Sequence, residues 1–225
     1  LHHYRFSLSW PRILPTGYSH IVSKDGLKYY HDLLDELEKN QLSPFVTIYH
    51  WDHPEALQKL GGWMNELMVD LFGDYARVVF RQFGSKVKFF TTINEPHAIC
   101  RDGYKTGSQA PGYRLGATAE YICGHNILKA HARAYHIYND EFRAEQGGKV
   151  GIAIPCQYYF VKSEKDMDAR ERAFQFNCGR FSHPIFSGKG DYPDIVKQKV
   201  AEKSKIEGRN RSKLPVFSEE WIQYI

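Results

Sequence analysis

Apolar residues recur along this chain in two alternating rhythms. Short runs rich in β-branched and aromatic residues, at 3–9, 44–49, 87–93 and 149–154, read as strands. Between them lie stretches with helical spacing. Over 25–39 the stripe is Leu27, Tyr30, Leu33, Leu34 and Leu37; over 65–83, with Asn65 as N-cap, it is Leu67, Leu71, Tyr75, Val78 and Val79. A longer helix is predicted over 118–143, its inward face carrying Leu128, Ala132, Tyr135 and Phe142, and two more over 167–181 and 193–205. Gly- and Pro-bearing loops fall at 97–116 and 187–193, and no linker composition separates a second domain, so 1–225 reads as one domain.

Nearly continuous apolar strands joined by crossover helices imply a parallel sheet covered on both faces, hence an α/β fold. Pattern alone leaves a doubly wound sheet and an eightfold barrel open. No Gly-rich phosphate-binding turn follows the first strand, which disfavours the doubly wound dinucleotide fold.

Composition narrows the picture further. Hydrophobic residues make up 42% of the 225 residues and aromatics 15%, enough for a substantial core. The net charge of +4 is dispersed, and the richest basic run, Lys197 to Arg211, is interleaved with Glu, so no nucleic-acid partner is expected. No stretch approaches the ~20 consecutive apolar residues of a membrane span. Cys100, Cys123, Cys156 and Cys178 are widely spaced without a C-x-x-C pair; neither a zinc site nor a disulfide framework is indicated, and buried thiols are expected. Asn210-Arg211-Ser212 fits the N-glycosylation acceptor pattern, which requires a secretory route. The chain starts inside a strand pattern, so a targeting segment is expected to lie outside it.

Candidate chemistry gathers at the strand ends. Thr91-Thr92-Ile93-Asn94-Glu95-Pro96 delivers a carboxamide and a carboxyl at the tip of an apolar strand that Pro96 stops, and strand C-termini are where barrel enzymes do chemistry. Tyr4-Arg5-Phe6-Ser7-Leu8-Ser9-Trp10-Pro11-Arg12 and Phe45-Val46-Thr47-Ile48-Tyr49-His50-Trp51-Asp52-His53-Pro54 end in the same polar and aromatic way. Arg5, inside a strand, needs acceptors or a buried acid to offset its desolvation. His50, Asp52 and His53 are possible metal ligands, although alternation points His53 away from the other two, and no metal is assigned. Glu219-Glu220, after Leu214-Pro215-Val216-Phe217-Ser218, reads as a capped helix start.

These segments, together with Gly61-Gly62-Trp63, Gly103-Tyr104, Ala110-Pro111-Gly112 and Gly190-Asp191-Tyr192-Pro193, resemble glycoside hydrolase family 1, the retaining β-glucosidases and their relatives, in order along nearly the whole chain. The resemblance implies a partial TIM (β/α)8 barrel, roughly β-α units two to five, with two unpaired parallel edges. Glu95 would be the general acid/base of a double displacement, which needs two carboxyls ~5–5.5 Å apart. Asn94 would bond the sugar 2-hydroxyl, His50 and Trp51 would grip the glycone, and Arg5 would position the nucleophile. The family's nucleophile segment does not occur here, so these residues alone are expected to be inactive. Trp10, Trp63 and Tyr104 also match but read as packing, and His97 with the 110–112 loop would shape the entrance. His53 stands where the family is usually apolar and Arg180 where it is aromatic. The expected substrate is a β-glycoside or other small sugar conjugate, without a cofactor, in a secreted or lumenal protein. Two alternatives remain open: a non-catalytic carbohydrate-binding or receptor-like relative, and an unrelated metal hydrolase.

Overall fold

The computed structural model describes residues 1–225, which form two compact units. The first comprises Leu1–Asn94 and Ala130–Ala153 and holds one parallel sheet. Its strands, β1 (His3–Ser7), β2 (Ser43–Tyr49), β3 (Phe89–Asn94) and β4 (Lys149–Ala153), lie in sequence order, so β1 and β4 are the edges. Register is regular from β1 to β2, where Arg5 faces Phe45 and Ser7 faces Thr47. It stays regular into β3, where Val46 faces Phe90 and Thr47 faces Thr91.

Helix α1 (Lys24–Lys39) begins where the Ser23 hydroxyl accepts the Gly26 N–H at 3.1 Å. Gly26 must be glycine, because a Cβ there would sit 2.0 Å from the Arg12 carbonyl oxygen. Helix α2 (Leu67–Phe83) buries Phe72, Tyr75, Ala76, Val79, Phe80 and Phe83. Phe80 meets Phe90 of β3 edge to face at 5.2 Å, which identifies the Val46 and Phe90 side of the sheet as the helix-covered one. Trp10, fully buried, stacks on Tyr75 at 4.6 Å.

The segment predicted as a helix over 118–143 is helical from 116 to 146, but not α-helical throughout. Helix α3 (Gly116–Ile137) gives way to a π-helical turn, Tyr138–Phe142, and a last turn, Arg143–Gln146. The widened turn places the Tyr138 hydroxyl 2.9 Å from the Gly148 N–H that it accepts, just ahead of β4. Periodicity alone does not register one inserted residue in a helix.

The second unit comprises Glu95–Lys129 and Ile154–Ile225. Its core is Leu128, Phe181, Tyr192, Val196, Val200, Leu214 and Phe217. The predicted 167–181 helix is again interrupted, as Met167–Phe174, a π-turn Gln175–Gly179, and α4 (Arg180–Phe186). Helix α5 (Asp194–Ile206) follows the Gly190 turn, and α6 (Glu219–Tyr224) starts at Ser218, whose hydroxyl accepts the Trp221 N–H at 3.4 Å. Glu219 and Glu220 thus open a helix, as the sequence predicts.

The cysteines correct an expectation. They are not free thiols: Cys100 pairs with Cys123 and Cys156 with Cys178, at Cα separations of 5.5 and 4.8 Å, and no cysteine is left over. Separations of 23 and 22 residues carry no mark of pairing in a sequence, because only the folding of the second unit brings the partners within bonding reach.

Candidate active site

The polar tips of β2 and β3 are assembled by a register fault. Thr91 faces Gly151 on β4, so unbroken pairing would set Asn94 opposite Ile154; it faces Ala153 instead. Strand β3 therefore carries one extra residue between Thr91 and Asn94. Strict alternation would leave Asn94 on the helix-covered face with Phe90 and Thr92. The bulge turns it to the face of Arg5 and Thr47.

There Asn94 is held at both ends of its amide. Arg5 Nη2 donates to Asn94 Oδ1 at 2.5 Å, while Arg5 Nε donates to Thr47 Oγ1 at 3.2 Å. Arginine can only donate, so the carboxamide oxygen must face it and the NH₂ must face His50 Nε2, 3.3 Å away. His50 accepts at Nε2, and its proton sits on Nδ1. Asn94 is buried, whereas His50 is exposed. Arg5 departs from the desolvated cation expected of an internal strand residue: it is exposed on an edge strand, and its partners are neutral oxygens rather than a buried acid. The sheet, not a carboxylate, fixes its direction.

Backbone strain marks the next two candidates. Trp51 and Glu95 adopt φ of 79° and 51°, a left-handed region that non-glycine residues rarely enter and that costs ~1–3 kcal/mol each. Trp51 Nε1–H donates to the Asn94 carbonyl oxygen at 2.9 Å, fixing the peptide that joins Asn94 to Glu95. Glu95, half-buried, then starts a helical turn whose first residue is Pro96 and which runs on into the π-helix Ile99–Lys105, with the Glu95 carbonyl accepting from Ala98 and Ile99.

His53 belongs to a different construction. Trp63 Nε1–H donates to the Tyr49 hydroxyl at 3.0 Å, the hydroxyl lies 3.0 Å from His53 Nδ1, and His53 Nε2 lies 2.9 Å from Gln58 Oε1. Gln58 Oε1 accepts only, so His53 carries its proton on Nε2 and accepts the Tyr49 O–H hydrogen bond at Nδ1. Burial lowers the pKa of His53, and the neutral ring completes the relay. Both ring nitrogens are committed to protein partners, so the triad His50, Asp52 and His53 lacks a metal donor at its third position. This explains how a polar residue fits where an apolar one is usual. Thr47, Tyr49 and Gln58 were not singled out from sequence, although Thr47 shares the Arg5 face by simple alternation.

The second unit holds a buried ionic cluster. Arg180 Nη2 donates to Glu120 Oε1 at 2.9 Å and lies 3.1 Å from His97 Nδ1, and Lys105 reaches Glu120 Oε2 at 2.6 Å. The guanidinium also lies 4.8 Å from the Phe181 ring centre and 5.3 Å from that of Tyr121. Burial on its own raises the Glu120 carboxyl, but Arg180 and Lys105 outweigh it and hold the pKa below the usual range. Burial, reinforced by the Arg180 cation, pushes His97 down to about 4. Glu120 escaped notice because a lone Glu in a helical pattern looks solvated.

Parallel strands in sequence order, joined by helices and carrying polar side chains at their C-terminal tips, are the architecture of the α/β-barrel class. Comparison with known proteins names the family. The chain matches the family model "Glycosyl hydrolase family 1" over residues 1–225 and belongs to that family. It is 46% identical to Myrosinase 1 of Brevicoryne brassicae over 99% of its length and 48% of the relative's. It is 45% identical to the human lactase-like protein over 100% of the chain and 40% of the relative. The human cytosolic beta-glucosidase is 40% identical, over 98% and 47%. Among solved structures, aphid myrosinase superposes with a TM-score of 0.96 at 45% identity, covering 100% of this chain and 48% of that one. A beta-glucosidase from Thermotoga maritima, in complex with castanospermine, gives 0.85 at 39%, again over 100% and 48%. The chain thus spans less than half the length of each of these relatives.

Proposed function

We propose that this chain is part of one catalytic barrel domain of a retaining β-glycosidase, with Glu95 as general acid/base. The observation that carries the reading is the strained Asn94–Glu95 junction, left-handed at Glu95 and anchored by the Trp51 indole. Strain of this kind is kept where a side chain must be aimed. Glu95 protonates the departing glycosidic oxygen while a second carboxylate attacks the anomeric carbon; Glu95 then takes a proton from the water that releases the sugar. Asn94 bonds the sugar 2-hydroxyl, His50 and Trp51 hold further hydroxyls, and Arg5 orients the nucleophile. That second carboxylate is contributed by sequence outside these 225 residues, so the 225-residue chain alone turns nothing over. The substrate is a β-glycoside or similar small sugar conjugate, and the protein acts in a secreted or lumenal setting. Relatives bearing names as different as myrosinase and beta-glucosidase support the sugar class and leave the aglycone open.

The test uses the full-length protein carrying this segment. Glu95→Gln should suppress kcat/KM for glycosides with poor leaving groups by at least ~10²-fold, and far less for activated aryl glycosides that need no protonation. Equal loss on both substrates removes Glu95 from the acid role.

A further inference from the structure

All four cysteines are consumed in two disulfides. Paired cysteines persist in oxidising compartments and are rare where glutathione keeps thiols reduced. Since one relative is named as cytosolic and others are not, kinship does not decide the compartment; the disulfides favour the secretory lumen. That is also where asparagine side chains receive sugar. Of the seven asparagines in the chain, only Asn210 is followed by the required Ser or Thr two positions on, with Arg211 between.

The loop that carries Asn210 is built to project it. Helix α5 closes with the Gly208 and Arg209 N–H groups donating to the Lys205 and Ser204 carbonyls, both at 3.0 Å. On the far side, the Lys213 N–H donates to Ser204 Oγ at 3.0 Å and its ammonium pairs with Glu207 at 2.7 Å. Pinned at both ends, the intervening residues Arg209 to Ser212 bend outward and are exposed. The Ser212 oxygen accepts the Leu214 N–H at 3.2 Å, leaving its own proton free to donate. A glycan on Asn210 would extend into solvent and displace no packing.

We propose that Asn210 is an N-glycosylation site. The donor is a lipid-diphosphate-linked oligosaccharide presented by a lumenal oligosaccharyltransferase. Asn210 Nδ2 forms a bond to the sugar anomeric carbon, the bond from that carbon to the diphosphate oxygen breaks, the lipid diphosphate leaves with the electron pair, and one amide proton passes to a base of the transferase. The assignment rests on the lumenal reading above and is independent of the hydrolytic one.

The experiment is a peptide map of the full-length protein made from its intact gene in animal cells, cut after glutamate without reduction. The Gly208–Glu219 peptide should carry a hexose- and N-acetylhexosamine-containing mass, and enzymatic release of the sugar should leave aspartate at position 210. Asn210→Gln and Arg211→Pro should each return that peptide bare, the second while keeping both Asn and Ser. A bare wild-type peptide beside intact Cys100–Cys123 and Cys156–Cys178 linkages overturns the site and spares the lumenal reading. Free thiols at those positions overturn both. Glycosidase activity, measured on the same preparation, reports separately on Glu95.

Discussion

The Trp51 indole donates its N–H to the Asn94 carbonyl oxygen at 2.9 Å, so one left-handed residue anchors the peptide that leads directly into another, Glu95. Each residue pays ~1–3 kcal/mol for this backbone.

Trp51→Phe keeps the ring and deletes the donor. In the full-length protein it should cost about 1 kcal/mol of stability, and, if Glu95 is the proposed acid, kcat/KM for aryl β-glucosides should fall at least tenfold because its backbone is no longer held on target. Thermal melts and steady-state kinetics on one preparation measure both. An unchanged kcat/KM would mean that Glu95 is aimed by something else.

The buried ion cluster predicts an ordering rather than a single number. Glu120→Gln leaves Arg180, 4% exposed in its side chain, without a counter-charge, and should destabilise by ~3–5 kcal/mol. Arg180→Tyr restores the aromatic usual in the family and leaves Glu120 paired with the half-exposed Lys105, so its cost should be smaller. It should also let the His97 pKa rise, because burial remains while the neighbouring cation is gone. Denaturant midpoints of the two variants decide; the reverse ordering would show that the cluster does not depend on its carboxylate.

His131 is fully buried in the first unit, its Nδ1 lying 2.9 Å from the Thr92 hydroxyl, and burial pushes its pKa down to about 4. His97 is pushed to about 4 as well, by burial first and Arg180 second. Unfolded histidine titrates near ~6.5. The unfolded state therefore takes up protons that the folded state refuses. Stability from these neutral rings is complete above pH ~6.5 and is lost progressively as pH falls toward ~4, by up to about 3 kcal/mol for His131. Melting temperature followed across that window should drop, and His131→Gln should flatten the slope by roughly one proton. A profile that the substitution leaves unaltered refutes the assignment.

How much of this was legible beforehand depends on the range of the interaction. Helix α1 and the four strands follow local period and appear within a few residues of where the pattern places them, and the family's motif order supplied the barrel. What escaped was non-local. The β3 bulge that turns Asn94 is a mismatch between two strands separated by more than fifty residues. The disulfides and the Arg180–Glu120 pair each need a tertiary packing that spacing does not encode. His53 looked like a ligand candidate because Tyr49 and Gln58, which occupy its nitrogens, are ordinary residues in an ordinary pattern.

The Gly190-Asp191-Tyr192-Pro193 segment served only as a family marker in the sequence, yet it makes the sharpest structural prediction. Gly190 has φ of 64°, and a Cβ there would lie 1.7 Å from the Ile222 carbonyl oxygen, so both conformation and space demand glycine. The turn it permits lets Asp191 accept the Tyr192 N–H at 2.7 Å and pair with Lys197 at 2.7 Å, while the buried Tyr192 hydroxyl meets His125 Nδ1 at 3.1 Å. Gly190→Ala must push the backbone of α6 away and unseat Tyr192 from Phe217, against which it stacks at 4.8 Å. The expected loss is more than ~3 kcal/mol, well beyond an ordinary surface Gly→Ala change. Gly188→Ala, two residues earlier and also left-handed at φ 71° but facing open space, should cost only its backbone strain. Comparing the two unfolding midpoints isolates the steric contact, and equal losses would show that the Ile222 carbonyl yields freely.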